Sequence, residues 1–197
     1  MKLNKINIGF AITGSFCMHQ VVLQEIKKLK EKGHNVLPIF SLNTASLDTR
    51  FGKAVDFRAQ VEEITGNSVI DTLMLAEPIG PKNMIDILVI APCTGNTLSK
   101  LANAITDTAP TMVAKAHMRN NKPVVVGIST NDGLGLNMTN LARLMATKNI
   151  YFVPFRQDDY LNKPKSLVAD FTLLDKTIES ALSRQQLQPI IAKGADL

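Results

Sequence analysis

Ile87-Leu-Val-Ile-Ala91 is an unbroken apolar run, held between Asp86 and Pro92. A strand with no polar residue in its period buries both faces, and that requires a sheet covered by helices on each side. Pro92 has no N–H to give to a ladder and is expected to end the strand. Cys93-Thr-Gly-Asn-Thr97 is small, polar and able to turn, and Leu98, Leu101 and Ala102 resume at helical spacing. Strand, turn and helix bring backbone N–H groups and hydroxyls to one point at the carboxyl edge of the sheet, where open α/β proteins bind ligands. A plain strand–loop–helix connection with Thr94 or Asn96 as N-cap has the same pattern.

The same unit recurs along the chain. Ile6 to Thr13 reads as a first strand ending in Thr13-Gly14-Ser15, followed by Val21, Val22, Ile26 and Leu29 at helical spacing with Gly33 as a stop. Gly14 would let a backbone approach a phosphate closely, and Ser15 would add a hydroxyl beside a helix start. This is neither G-x-G-x-x-G nor a P-loop. Asn35 to Phe40 reads as a second strand despite Pro38, and it runs into Ser41-Leu-Asn-Thr44. No acidic residue follows it to grip a ribose, so Ser41 and Thr44 suit a mononucleotide or flavin phosphate better than NAD. They equally suit an N-cap or a side-chain turn.

Asp48 to Ile64 is mixed helical, with Phe51, Val55, Phe57, Val61 and Ile64 available for burial, and Asp71 to Leu75 is a possible short strand. A helix broken near Pro110 is expected over Ile105 to Asn121. A buried strand, Lys122 to Ile128, then spills into Ser129-Thr-Asn-Asp132. Leu136, Leu141, Leu144 and Met145 carry the next helix, and Ile150 to Val153 reads as the last strand. Arg156 to Lys165 is polar and irregular, and a terminal helix spans about Leu167 to Leu182. The fold class is thus a three-layer α/β/α protein, Rossmann-like or flavodoxin-like, with a mainly parallel sheet. One domain covers residues 4–185, and residues 186–197 form a mobile tail. Four strand ends finish in small polar residues, and a parallel sheet places them on one edge.

Composition narrows the function. The 197 residues carry a net charge of +5, but the basic residues are scattered, with Lys27 to Lys32 as the longest cluster. No basic–aromatic interleaving appears, so nucleic acid is not an expected partner, and a basic surface suits an anionic small molecule. No apolar run approaches the roughly 20 residues of a bilayer span. Met1 to Ile8 lacks a signal peptide's long apolar region, which makes a cytoplasmic location the expectation. Two cysteines make no disulfide framework, and the three histidines have no metal-ligand spacing, so no metal site is expected.

Cys93 lies in the candidate site, where its size and the turn explain it without redox chemistry. Cys17 reads as a buried small residue, His19 as a helix surface or subunit contact, His34 as a solvent-facing turn residue and His117 as helix surface. Glu77 reads as a loop acid. Asn131 and Asp132 are the weak catalytic candidates, set against helix capping near Gly133.

Ile90-Ala-Pro-Cys-Thr-Gly-Asn-Thr-Leu-Ser-Lys-Leu-Ala-Asn103, with Ile12-Thr-Gly-Ser15 upstream, resembles the flavoprotein family of flavin-containing cysteine decarboxylases and flavin prenyltransferases. The likeness runs from about Ile6 to Pro154. It implies FMN, with phosphate contacts at Gly14, Ser15 and Ser41 and with ribityl and ring contacts at Thr94, Gly95, Asn96 and Thr97. Ser129 and Thr130 would meet the cofactor from the next strand end. The family also implies a homo-oligomer.

The departures from the pattern redirect the activity. The decarboxylases' His before the A-P-x-x-x-N-T strand is missing, since the region reads Glu77-Pro-Ile-Gly-Pro-Lys-Asn83. Their P-A-M-N clamp is also missing, and Thr130 stands where the prenyltransferases carry Arg. Within the family the likeness, including Asn137-Met-Thr-Asn-Leu-Ala-Arg143, is to one component of a two-chain sporulation oxidoreductase. Such a component works with a Rossmann-type partner chain, on which NAD(P) would sit. The resemblance implies oxidation of a dihydro-type precursor to an aromatic dicarboxylate, water being lost from the precursor's hydrated form and two hydrogens from the dihydro ring. A stand-alone FMN decarboxylase or prenyltransferase, and a non-catalytic organising partner, are the alternatives.

Overall fold

The computed structural model describes residues 5–192. Five parallel strands form its centre: β1 (Asn7–Ile12), β2 (Asn35–Phe40), β3 (Ile87–Cys93), β4 (Val124–Thr130) and β5 (Ile150–Phe152). Their spatial order is β2-β1-β3-β4-β5, so the direction of winding reverses beside β1 and the switch point lies between β1 and β3. Helices α1 (His19–Glu31), α2 (Leu42–Ser46), α3 (Ala54–Thr65), α4 (Leu73–Ala76), α5 (Gly95–Ala102), α6 (Ala109–Arg119), α7 (Asn137–Met145) and α8 (Leu174–Leu182) make the crossovers and flank the sheet. Every residue of β3 is buried, as its unbroken apolar run requires. Phe10, Val36, Val89, Val126, Phe152, Val113 and Ile178 meet in one core.

Several elements depart from the sequence expectation, each for a local reason. Pro92 does not end β3: the ladder shifts register between Ile90 and Cys93 and continues, with Cys93 opposite Ile128. The Pro92 carbonyl is used instead, accepting from the Thr13 backbone N–H (3.3 Å) and hydroxyl (2.7 Å). Pro38 is tolerated because β2 borders the sheet, where its missing donor leaves no inner ladder bond unmade. Asp71 to Leu75 is not a strand: Thr72 caps α4 by accepting from the Leu75 N–H, and only Ile70 bridges to Ile39. The helix expected from Asp48 begins at Ala54, after a turn at Thr49–Gly52, and leaves Phe51 and Val55 exposed. The helix expected from Ile105 begins at Ala109, because a Thr108–Thr111 capping box and Pro110 in the first turn set its start.

β5 is not the last strand. Beyond it, β6 (Phe155–Arg156) and β7 (Leu167–Ala169) pair antiparallel with each other, and β7 pairs antiparallel with Ser129 and Thr130 of β4. β4 outlasts β5, and β7 fills the free edge of its last residues. The terminal helix therefore starts at Leu174, not at Leu167. The expected tail stays attached as far as Ala192. The Gln186 side chain accepts from Phe152 N–H and donates to its carbonyl, and Phe155 pairs with Ile190 and Ala192. The remainder of that tail lies outside the described residues.

Candidate functional site

The carboxyl ends of β1, β3 and β4 open into a cleft of about 470 Å³, within the usual range of small-molecule sites. Gly14 and Ser15 form one wall, Thr94 and Gly95 the floor, and Ser129, Thr130 and Asn131 the opposite wall.

Thr13 binds these ends together. Its hydroxyl donates to Pro92 and accepts the Thr94 backbone N–H at 3.0 Å, so the turns after β1 and β3 are tied to each other. The Ser15 and Ser129 hydroxyls meet at 2.7 Å across the cleft. Thr94 caps α5 by accepting from the Thr97 N–H at 3.3 Å, which aims the start of that helix at the cleft.

Gly95 is required by packing. A Cβ there would lie 2.7 Å from both the Asn137 amide nitrogen and the Thr130 hydroxyl. Gly14 is different, because a Cβ would meet nothing closer than 3.4 Å and its backbone is not in the left-handed region. The free fold does not need glycine at that position, whereas a close ligand would.

The residues singled out from the sequence divide. Gly14, Ser15, Thr94, Gly95, Ser129, Thr130 and Asn131 line the cleft. Ser41 instead caps α2, its hydroxyl accepting from the Thr44 N–H. Asn96 is exposed on the first turn of α5, and Thr97 is buried beneath it. Asp132 turns back on its own loop, accepting from the Leu136 N–H and the Asn137 amide, both at 3.1 Å. Glu77 borders a separate pocket with Met112 and Lys115. Lys100 pairs with Asp107 at 2.7 Å. Asn103 accepts from Arg143 at 2.8 Å and donates to Asn140 at 3.3 Å, so the end of the Ile90–Asn103 motif locks α5 to α7.

The histidines and cysteines change places relative to expectation. Cys17 is exposed on the cleft wall, and His19, His34 and His117 are buried. His19 stacks on Phe57 at 4.4 Å between ring centroids, and its Nε2–H donates to the Thr13 carbonyl at 3.0 Å. Burial lowers its pKa against the opposing pull of that carbonyl. Helical spacing could not show this, because α3 closes over His19 from elsewhere in the chain. Cys93 is wholly buried, and desolvation pushes its thiol pKa far up, which removes it as a nucleophile.

Arg50, Phe51, Asp158, Lys163 and Ser166 also line the cleft, and none was singled out from the sequence as a site residue. They arrive on two loops, and no local pattern distinguishes them from other surface residues. Lys163 stands 3.8 Å from Asp158. Burial works to raise the Asp158 pKa, but hydrogen bonding from Ser166 and the backbone, with the Lys163 charge, holds it below the usual range. Among the described residues no three His, Cys, Asp or Glu side chains gather as a metal site, and no helix is long and apolar enough to cross a membrane.

A parallel sheet that ends in a hydroxyl-lined, cation-rimmed cleft at its switch point has the architecture of the open α/β proteins that bind ligands at that edge. The chain belongs to the flavoprotein family, whose pattern matches residues 1–166. It is 54% identical over 187 residues to the B-type subunit of dipicolinate synthase from Bacillus subtilis (strain 168), covering 95% of this chain and 94% of that protein. The crystal structure of the B-type dipicolinate synthase subunit from Bacillus halodurans C superposes with a TM-score of 0.90 at 49% identity, over 98% of this chain and 99% of that one. Burkholderia xenovorans DmrB, a cubic cage for redox transfer solved with FMN, shares the fold at a TM-score of 0.69 and 18% identity, over 91% of this chain and 96% of that one.

Proposed function

We propose that this chain is the flavoprotein subunit of a dipicolinate synthase, acting in the cytoplasm of a sporulating cell with an A-type, Rossmann-fold partner. The reaction removes two hydrogens from a dihydrodipicolinate-type precursor and leaves pyridine-2,6-dicarboxylate, with aromatisation favouring product. The observation that carries this reading is 54% identity over 95% of the chain to a protein of that name.

The cleft suits FMN. Its volume, the Ser15–Ser129 hydroxyl pair, Gly14 without a steric need for glycine, and the start of α5 at Thr94 together suit a phosphate and a polyol chain. Bound there, the flavin would supply a two-electron acceptor. Ser15, Ser129 and Gly14 would hold the phosphate, and Thr94, Gly95 and Thr130 would face the rest. Asn131, exposed on the cleft wall, would orient the substrate. A stand-alone decarboxylase is disfavoured, because the segment before β3, Glu77 to Asn83, holds no histidine.

The test follows dipicolinate formation by its ultraviolet absorbance, with this chain alone or with the Rossmann-type partner, and with or without FMN. Product that requires both chains and FMN supports the reading. Product that requires both chains but ignores FMN makes this chain an organising component. No product in any mixture overturns the assignment.

A further inference from the structure

The charges around the cleft are not equivalent. Lys163 already faces Asp158. Arg50 has no carboxylate within ion-pair distance among the described residues. Its guanidinium carbon lies 4.9 Å from the centroid of the Phe51 ring. Both residues sit at the tip of a turn closed by reciprocal backbone hydrogen bonds between Thr49 and Gly52, at 3.0 and 3.1 Å. The Phe51 N–H donates to the Thr49 hydroxyl at 3.1 Å, and the Asp48 carboxylate accepts from the Ala54 N–H at 2.9 Å, which anchors both feet of the turn. Phe51 is nevertheless 51% exposed and forms a wall of the cleft and of an adjoining 210 Å³ pocket.

A guanidinium lying over an aromatic ring uses its face and keeps its in-plane N–H fork free. That fork matches a carboxylate in bidentate fashion. The cleft therefore has two unlike places for negative charge. Ser15 and Ser129 offer neutral hydroxyls on the walls, and Arg50 offers a full charge on a braced turn. A flat ring bearing carboxylates would also cover the exposed Phe51.

We propose that Arg50, set over Phe51 at the tip of the Thr49–Gly52 turn, binds a carboxylate of the substrate and makes the cleft selective for an aromatic or dihydroaromatic dicarboxylate. The inference rests on the function proposed above and assigns the substrate's place within that site. The same fork could hold the FMN phosphate, and the test separates the two anions.

The full chain, wild type and with Arg50→Gln or Arg50→Lys, is titrated with pyridine-2,6-dicarboxylate and with its uncharged diamide, in the presence of FMN. FMN and riboflavin are titrated separately. Circular dichroism checks folding, which an exposed turn residue should not disturb. Arg50→Gln should weaken the dicarboxylate by about tenfold or more, the scale of a charged hydrogen-bonded contact. Arg50→Lys should recover part of the loss, and diamide and FMN affinities should stay within about twofold, since neither uses this contact. Unchanged dicarboxylate affinity in Arg50→Gln, with wild-type binding intact, overturns the Arg50 assignment alone. A loss for FMN but not riboflavin overturns it in favour of the phosphate. Wild-type protein that ignores the dicarboxylate, together with a two-chain mixture that forms no product, overturns both the assignment and the function on which it rests. Wild-type protein that ignores the dicarboxylate while the mixture still forms product overturns the Arg50 assignment and places the substrate on the partner.

Discussion

The hydroxyls of Ser15 and Ser129 lie 2.7 Å apart, although 114 residues separate them along the chain. One follows β1 and the other lies near the end of β4, so the contact spans β3 and draws the two walls of the cleft together. An anion bound between them would replace this mutual bond with two bonds to itself.

Ser15→Ala and Ser129→Ala should therefore each weaken FMN by up to about tenfold, as expected for loss of one hydrogen bond to a charged group. The double variant should lose less than the product of the two, because the residues are coupled partners. Quenching of flavin fluorescence on titration reads both effects. Unchanged affinity in both single variants would remove the phosphate from this wall.

Gly95 and Gly14 should respond oppositely to alanine. Gly95→Ala forces a methyl against Asn137 and Thr130 and should lower stability by roughly 1–3 kcal/mol, seen in thermal melts without ligand. Gly14→Ala should melt like wild type without ligand and lose most of the thermal shift that FMN confers. A destabilised Gly14→Ala chain would show that the fold, rather than the ligand, selects glycine there.

Acid should destabilise the protein through His117. Its Nε2 is buried without a hydrogen-bond partner. Burial, helped by the Lys122 charge, takes its pKa down to about 4, against opposing contributions from Pro123 and Asp86. The unfolded chain binds the proton near pH 6.5 and the folded chain only near 4, so stability is full above 6.5 and falls as the pH drops through that window. This group alone should remove about 2 kcal/mol between pH 7 and pH 5. Urea denaturation at the two values measures the loss, and His117→Gln should make the slope shallower.

Asp132 and Asn131 should separate structure from turnover. Asp132 holds the Leu136 N–H and the Asn137 amide, so Asp132→Ala should cost about 1 kcal/mol of stability. Asn131 is exposed on the cleft wall, so Asn131→Ala should leave the melting temperature unchanged and reduce the rate of dipicolinate formation in the two-chain assay. A reversed pattern would transfer the substrate-orienting role to Asp132.

The alternation of strands and helices, the burial of β3 and the small polar ends of β1, β3 and β4 were legible in the sequence, because each rests on local periodicity and turn chemistry. β7 was not legible. Leu167-Val-Ala169 adjoins a helical pattern, and it becomes a strand because Ser129 and Thr130 present an open edge to it. The burial of His19 was equally hidden, since Phe57 is brought over it only when α3 packs against α1.

The sequence by itself determined the class of sheet, the edge on which the small polar strand ends gather and the Thr94–Gly95 start of the central helix. These depend on residues close together along the chain. Only the tertiary structure decided that Ser15 meets Ser129, that Ser41 caps a helix outside the cleft, and that Arg50 and Lys163 supply the cleft's cations. Those relationships join loops far apart in the chain, and their geometry exists only once the shared core has brought the strand ends into register.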